Sequence, residues 1–110
     1  MNLTGTAPLG LKAEKAISPA MRKAANGEAC TMRIPGVCNH NTETTVLAHL
    51  RMFGWAGIAQ KPPDFLAVFA CHSCHDALDG RMGERVSPTD ILRALGETMI
   101  RQHQLGNLRI

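Results

Sequence analysis

The chain has 110 residues, of which 12 are Lys or Arg and 9 are Asp or Glu, so its formal net charge is +3 at pH 7. This length supports one domain and is too short for two. The small positive excess permits contact with phosphate backbones without requiring it. No stretch approaches the ~20 apolar residues that span a bilayer, and the first residues lack the basic start and apolar block of a secretory signal. We therefore expect a cytoplasmic protein without a membrane segment.

Three Phe, one Trp and no Tyr leave little material for a large core. Small domains with a modest core often use a bound metal ion for additional stability. Residues 1–17 mix Gly, Pro and Thr without periodicity and are predicted to be a flexible tail. Residues 18–110 are predicted to form a single domain.

The first predicted element is a short helix that begins at Ser18-Pro19, because serine is a good N-cap and proline fits the first helical position. Gly27 is expected to end this helix. Residues 28–34 are predicted to be extended and to lead into a turn at Pro35-Gly36. Residues 44–51 are rich in Thr, Val and Leu and are predicted to form a strand.

Residues 52–63 contain two glycines and two prolines and are predicted to be a loop. The apolar segment 64–70 is a strand or a helix, which its length alone does not decide. Residues 71–78 are predicted to open a helix. A C-terminal helix over about residues 88–105 follows from Ser87-Pro88 and an acidic first turn. Three charged residues spaced four apart on this helix predict a solvated ion-pair ladder: Arg93, Glu97 and Arg101.

The four cysteines form two pairs: Cys30-x7-Cys38 and Cys71-x2-Cys74. The second pair has the short spacing that brings two thiolates to one tetrahedral ion. Cytosolic cysteines bind metals more often than they form disulfides, so we predict one structural Zn²⁺ held by all four. Disulfides or buried free thiols are the alternatives. His40 and His72 lie near enough in sequence to substitute as ligands, although each is more simply interpreted as exposed.

A second group of polar residues follows the Cys71–Cys74 pair. His75 and Asp79 are four residues apart, so they would share one face of the predicted helix. An imidazole and a carboxylate on one face can hold a divalent cation with open coordination positions. The alternative is a surface hydrogen bond between the two side chains.

His49 is the candidate for proton transfer. In the predicted strand, His49 and Arg51 lie on the same face. A histidine near neutral pKa can accept a proton from water, and an adjacent arginine can hold a phosphate. A single strand histidine is otherwise often structural. Asp64 could orient His49, help to bind a metal or cap the segment that follows it.

Four short motifs occur in order along the chain: RIPGVC (33–38), LAHLR (47–51), KPPD (61–64) and CHSCHDALD (71–79). Together they resemble the zinc-containing HNH, or His-Me finger (ββα-metal), nucleases. The closer resemblance is to the YbcO family of phage- and prophage-encoded nucleases, and it covers about residues 20–80. It implies an α+β fold, namely a small zinc-stabilised treble-clef domain, here with an additional C-terminal helix.

The resemblance also implies roles for individual residues. His49 matches the general base, Asp64 the middle position that is usually Asn, and His75 the final histidine that ligates the catalytic metal. Asp79 matches a second ligand one helical turn later. Many HNH nucleases have Asp or His immediately before the general base, where this chain has Ala48. Either Asp64 and Asp79 supply the carboxylates, or the site binds catalytic metal weakly or not at all.

The function implied is metal-dependent hydrolysis of DNA phosphodiester bonds, with Mg²⁺ or Mn²⁺ as the catalytic ion and Arg51 positioning the phosphate. Family context implies phage recombination or DNA processing. Two other hypotheses remain open from the residues alone. One is a non-catalytic zinc module that binds nucleic acid or a protein partner, and the other is a purely structural protein.

Overall fold

A computed structural model describes residues 16–51, 62–80 and 86–110. These residues form three α-helices and a two-stranded antiparallel sheet, in the chain order α1 (Pro19–Ala24), β1 (Val46–His49), β2 (Ala67–Ala70), α2 (His72–Leu78) and α3 (Pro88–Gln104). The fold is therefore α+β, as predicted. Most of the predicted tail and of the predicted loop over residues 52–63 lie outside the described residues. No helix within the described ranges has the length and apolarity needed to cross a membrane.

Helix α1 begins where the sequence predicts. The Ser18 hydroxyl accepts the Met21 N–H at 3.2 Å, and Pro19 occupies the first turn. This cap satisfies one of the amide donors that every helix start leaves without a partner. The helix ends at Ala24, and Gly27 follows with a φ of 87°, a left-handed conformation that glycine adopts without strain. Met21 is buried, so α1 is held to the rest of the domain.

The two strands pair in antiparallel register, with Val46 opposite Ala70 and His49 opposite Ala67. The apolar segment 64–70, for which the sequence allowed a strand or a helix, therefore contains a strand, β2, and all four residues of this strand are buried. A segment buried on both faces has no alternation, so its apolar run is compatible with either structure until a partner is known. Strand β1 is shorter than predicted, since Thr42–Thr44 form a 3-10 helix before it.

Both later helices begin at the predicted positions. Cys71 is the N-cap of α2, and its Sγ accepts the Cys74 N–H at 3.4 Å. Ser87 caps α3 by accepting the Thr89 N–H at 3.2 Å. Helix α3 ends at Gln104, followed by Gly106 with a φ of 81°.

Helix α3 packs on β2 through a buried hydroxyl pair. The Thr98 Oγ1 accepts the Phe69 N–H at 3.1 Å, and the Thr31 Oγ1 donates to the Phe69 carbonyl at 2.9 Å. The two hydroxyls are 3.0 Å apart. The core around them combines a few larger side chains with alanines and the cysteines; its largest fully buried apolar members are Phe69, Met32 and Leu50.

The predicted ion-pair ladder on α3 is only partly present. Arg93 does pair with Glu97 at 2.9 Å. Glu97 also accepts a bidentate pair of bonds from Arg33, at 2.7 and 2.9 Å, and Arg101 pairs with Glu28 at 2.7 Å. These contacts connect α3 to the segment around Cys30, so the charged residues join two parts of the fold and are not a solvated ladder.

Candidate active site and metal centre

The four cysteines meet at one point. The Sγ atoms of Cys30, Cys38, Cys71 and Cys74 all lie within 4.8 Å of one another, and none is in a disulfide. A tetrahedral zinc ion with bonds of about 2.3 Å places its sulfur ligands roughly 3.8 Å apart. The Cys38 and Cys71 sulfurs are 3.9 Å apart. The cluster therefore fits a single tetrahedral metal ion.

Local backbone structure brings the cysteines together. The turn at Pro35-Gly36 returns the chain, with the Cys38 N–H donating to the Ile34 carbonyl at 2.9 Å and Gly36 at a φ of 74°. Cys71 and Cys74 occupy the N-cap and first turn of α2. The predicted turn and helix start thus deliver one cysteine pair each.

Backbone amides surround the sulfurs. Burial acts to raise the pKa of the Cys71 thiol, but the Asn39 and Cys74 amides donate to its sulfur at 3.5 and 3.4 Å and outweigh that effect. The net pKa of Cys71 lies below its ordinary value. Because the thiolate is the form that ligates metal, these donors favour binding at Cys71, whereas burial raises the pKa of Cys38 and of Cys74.

The two neighbouring histidines are exposed, as their simpler interpretation predicts. His40 has its Nδ1 3.7 Å from the Cys38 sulfur, and its backbone has a φ of 56°. The His72 side chain is 71% exposed and pairs with Asp76 at 3.4 Å. Neither is needed to complete a four-sulfur site.

His75 and Asp79 do lie together on α2. The His75 Nε2 is 3.4 Å from the Asp79 Oδ2, and both side chains are partly buried. Across the described ranges, the cysteines are the only group of three or more metal-ligating side chains with converging ligand atoms. The structure therefore brings His75 and Asp79 together, but neither His49 nor Asp64 joins them in a group of converging ligand atoms.

His49 lies at the end of β1 and forms a buried hydrogen bond with Asp64. The His49 Nε2 is 2.8 Å from the Asp64 Oδ1, and the residues are 9% and 1% exposed. A carboxylate only accepts hydrogen bonds, so Nε2 carries the proton and Nδ1 is left with the lone pair in the neutral ring. This is the arrangement of a histidine oriented for proton transfer by a carboxylate.

Two residues that the sequence did not indicate complete this group. Arg22 donates to Asp64 through Nε at 2.9 Å and through Nη2 at 3.1 Å, and the Ser18 N–H donates to the same carboxylate at 2.6 Å. Burial acts to raise the pKa of Asp64, but Arg22, His49 and Ser18 together lower it below its ordinary value. Both carboxylate oxygens are occupied, which favours a positioning role for Asp64 over metal ligation.

The face of β1 that carries His49 is open. Leu47 and His49 line a cavity of about 370 Å³, and Arg22 lies across it. Ala48 points to the other face, where it is fully buried in the core with the cysteines. Arg51 is exposed just beyond β1. Strand alternation thus separates the cysteine cluster from the His49 site, with the sheet between them.

The fold and the cysteine cluster define a small α+β protein with four converging cysteines that could hold one metal ion. The chain belongs to the YbcO family, since the family model described as "Putative nuclease YbcO" matches residues 19–107. This confirms the family resemblance carried by the sequence motifs.

Individual relatives agree with the family assignment. The protein named "Putative nuclease YbcO" from Escherichia coli strain K12 and one of the same name from Enterobacteria phage 82 are each 57% identical over 61 residues. These matches cover 56% of this chain and span 64% of each relative's length. A solved "putative bacteriophage protein" from E. coli K-12 substrain MG1655 is 40% identical and superposes with a TM-score of 0.61. That superposition covers 79% of this chain and 100% of the solved one.

Proposed function

We propose that this protein is an HNH-type endonuclease that hydrolyses DNA phosphodiester bonds with the aid of a divalent cation. The observation that carries the proposal is the 2.8 Å hydrogen bond between His49 and Asp64 beside an open cavity. A buried carboxylate that fixes one nitrogen of a histidine leaves the other nitrogen as a base. The nuclease name of the family and of its relatives in E. coli and a phage supports the reaction class.

The proposal includes a zinc-stabilised treble-clef (ββα-metal) architecture. Its support is the element order: a turn that delivers Cys38, the β1–β2 hairpin with His49, and α2 starting at the second cysteine pair. The zinc is structural in this scheme, because the sheet separates the sulfurs from His49. We also propose a role in phage recombination or DNA processing in the cytoplasm, and the relative from a phage supports the link to phages.

In the proposed reaction, His49 accepts a proton at Nδ1 from the water that attacks phosphorus, and the bond from phosphorus to the leaving oxygen breaks as that oxygen takes up a proton from solvent. Asp64 stabilises the resulting imidazolium because it accepts the Nε2 proton. Arg51 holds a phosphate oxygen from its exposed position after the strand. His75 and Asp79 would hold Mg²⁺ or Mn²⁺, which would supply charge stabilisation for the phosphate oxygens.

The second candidate is a non-catalytic zinc module that binds nucleic acid or a protein partner. The buried position of Ala48 favours it, since a ligating side chain is expected there in many HNH nucleases. Among the described residues, no third ligating side chain converges with His75 and Asp79, which also favours the non-catalytic module. Cleavage of plasmid DNA in the presence of Mg²⁺ or Mn²⁺ distinguishes the two candidates.

The decisive variant is His49→Gln. Its amide can still donate to Asp64, so the fold and zinc content should be retained, whereas the base is lost. A general base contributes about 10²–10⁴-fold to rate, so cleavage should fall by that factor. Arg51→Ala should instead weaken DNA binding as well as rate, because a phosphate contact also acts in the ground state. His49→Gln protein that cuts at the wild-type rate would remove His49 from the mechanism.

The cation is tested by the double variant His75→Ala and Asp79→Ala. Zinc content should stay at the wild-type level because neither residue belongs to the cysteine cluster. Manganese binding measured by calorimetry should weaken strongly, and cleavage should fall with it. Loss of zinc from this variant would instead place the pair in the structural site.

A further inference from the structure

Arg22, in the wall of the cavity beside His49, has no part in the proposed reaction. It lies on α1, its side chain is 42% exposed, and it lines the same cavity as His49. Both side chains bond to one buried carboxylate, that of Asp64, and they approach it from different elements of the fold. Arg22 is therefore one group removed from the proposed base.

The contact between Arg22 and Asp64 has a paired geometry. The guanidinium Nε donates to Oδ2 at 2.9 Å and Nη2 donates to Oδ1 at 3.1 Å, so two nitrogens meet two oxygens. A bidentate pair of this kind fixes the relative orientation of both groups, which a single hydrogen bond does not. The Ser18 N–H adds a third donor at Oδ2, at 2.6 Å. The carboxylate is thus held on both oxygens by α1 and its N-cap.

A fixed carboxylate orients the imidazole of His49. Asp64 Oδ1 lies 2.8 Å from the His49 Nε2 and also accepts from the Arg22 Nη2. A hydrogen bond weakens as its angle departs from linear, so the direction of this oxygen limits how far the ring can turn. Through Asp64, Arg22 thereby orients the Nδ1 lone pair that the proposed reaction uses.

The charge of Arg22 has a second effect on His49. A carboxylate beside a histidine favours the protonated ring, and a protonated ring cannot act as a base. With Arg22 present, the guanidinium balances the Asp64 carboxylate, and a proton on His49 adds an unbalanced positive charge. Without Arg22, the same proton would balance the carboxylate. The guanidinium therefore favours the neutral ring that can accept a proton from water.

Other ionisable groups also lie around His49. Asp64 contacts the ring, Glu43 on the 3-10 helix lines the same cavity, and Arg51 follows two positions after His49. Substitutions of Arg22 leave these three side chains unchanged. A comparison among Arg22 variants therefore isolates the effect of the guanidinium on α1.

We propose that Arg22 is a positioning residue for the reaction and acts on His49 through both oxygens of Asp64. The inference rests on the proposed nuclease function, because an oriented neutral base is needed only where a water is deprotonated. The paired hydrogen bonds orient the ring, and the positive charge keeps the ring neutral until it accepts that proton. Helix α1 then belongs to the active site and is not only a support of the fold.

NMR of the His49 ring tests the charge effect without cleavage, through its ¹⁵N shifts in the full-length zinc-loaded protein at pH 7. Arg22→Gln keeps a neutral donor and removes the charge, so the ratio of protonated to neutral His49 should rise about tenfold. Arg22→Lys keeps the charge and should preserve the wild-type ratio. Lys23→Gln removes the same charge from the adjacent exposed position and is the matched control. An unchanged ratio in Arg22→Gln, or an equal rise in Lys23→Gln, would overturn the inference.

DNA cleavage tests the orienting effect. Arg22→Lys retains the charge but cannot pair with both carboxylate oxygens, so kcat should fall about tenfold while KM stays at the wild-type value. In Arg22→Gln the loss of rate should be larger at pH 6 than at pH 8, because a higher pH restores the neutral ring. A loss by the same factor at every pH would indicate a merely structural role. Arg22→Lys protein with the wild-type kcat would overturn the orienting role, and this outcome can be read even if Arg22→Gln does not fold.

The inference and the proposed function fail separately. Protonation of His49 that responds to Arg22→Gln, in a protein that does not cut DNA with Mg²⁺ or Mn²⁺, would refute the nuclease and leave the coupling between Arg22 and His49 standing. Cleavage that depends on His49 but is the same in all Arg22 variants would refute the positioning role and leave the nuclease standing.

Discussion

At the residue scale, Asp64 carries the largest number of polar contacts around His49. Its carboxylate accepts from the Ser18 amide, from two nitrogens of Arg22 and from His49. A buried carboxylate is stable only when it is paired and hydrogen-bonded. These donors satisfy it, so α1, β1 and the start of β2 are joined at one charged group that also orients the proposed base.

The lowered pKa of Asp64 predicts an acid dependence of stability. In the unfolded chain this carboxyl titrates near pH ~4, above its folded pKa, so the unfolded state takes up the proton first. The contribution of Asp64 to the free energy of unfolding is complete above the pH at which the unfolded chain titrates. It is lost as the pH falls through the lower pKa of Asp64 in the folded state. Asp64→Asn should cost about 2 kcal/mol of unfolding free energy at pH 7.

Denaturant titrations of wild type and Asp64→Asn between pH 7 and pH 3 measure this effect. The difference between the two proteins should be constant near neutrality and should shrink below pH ~4. Both proteins share the acid sensitivity of the cysteine cluster, so the difference isolates Asp64. A difference that does not change with pH would show that the hydrogen-bond donors do not lower the pKa of Asp64 in the folded protein.

At the scale of elements, α3 holds the Cys30 segment in place. Arg33 has a φ of 44°, an unfavourable conformation for a residue with a side chain, and its N–H donates to the Cys30 sulfur at 3.5 Å. Glu97 on α3 holds the Arg33 guanidinium, and Arg33 together with Arg93 lowers the pKa of Glu97 to about 2. Arg93 also donates to the Thr31 and Met32 carbonyls. The helix thus supports one wall of the metal centre.

Glu97→Gln should therefore speed the loss of metal from the cysteine cluster. The Glu97 side chain is 37% exposed, so the cost in stability should be at most about 1 kcal/mol. Transfer of zinc to a colorimetric chelator at neutral pH should nevertheless become several-fold faster. Arg101→Gln, which breaks the ion pair with Glu28 on the same helix, is the matched control and should leave that rate unchanged. Equal rates in both variants would contradict a link between Glu97 and the cluster.

At the scale of the whole molecule, the cysteine cluster compensates for a small core. Many of the fully buried apolar positions are alanines, and Phe69 is the single aromatic among the buried hydrophobic residues described. A small domain is stable by only ~5–15 kcal/mol, whereas formation of a zinc site can supply roughly 10 kcal/mol or more. A zinc ion bound at the cluster would therefore decide whether the domain is folded.

Protein purified without added metal should contain one zinc ion per chain by elemental analysis. Cys71→Ser should unfold or aggregate, because Cys71 caps α2 and would ligate the metal. His72→Ala, at the adjacent exposed residue, should keep its zinc and its melting temperature. A Cys71→Ser protein with wild-type melting and zinc content would show that the cluster does not hold the fold together.

Features that depend on near neighbours in the chain could be predicted from the sequence alone. Ser18 and Ser87 cap helices as predicted, since a cap needs only the next three residues. The glycines after α1 and α3 follow the same local rule. The spacing of the two cysteine pairs also predicted that the four sulfurs converge at one point, because tetrahedral zinc accepts few other arrangements of four thiolates.

Features that join distant segments became visible only in the folded chain. Asp64 meets Arg22 across 42 positions, and Arg33 meets Glu97 across 64, distances at which neither periodicity nor spacing carries a signal. The choice of strand for residues 67–70 and the absence of His49 from a converging ligand group with His75 and Asp79 have the same cause. Each depends on which face of a folded element lies opposite which other, and packing of the whole chain sets that relation.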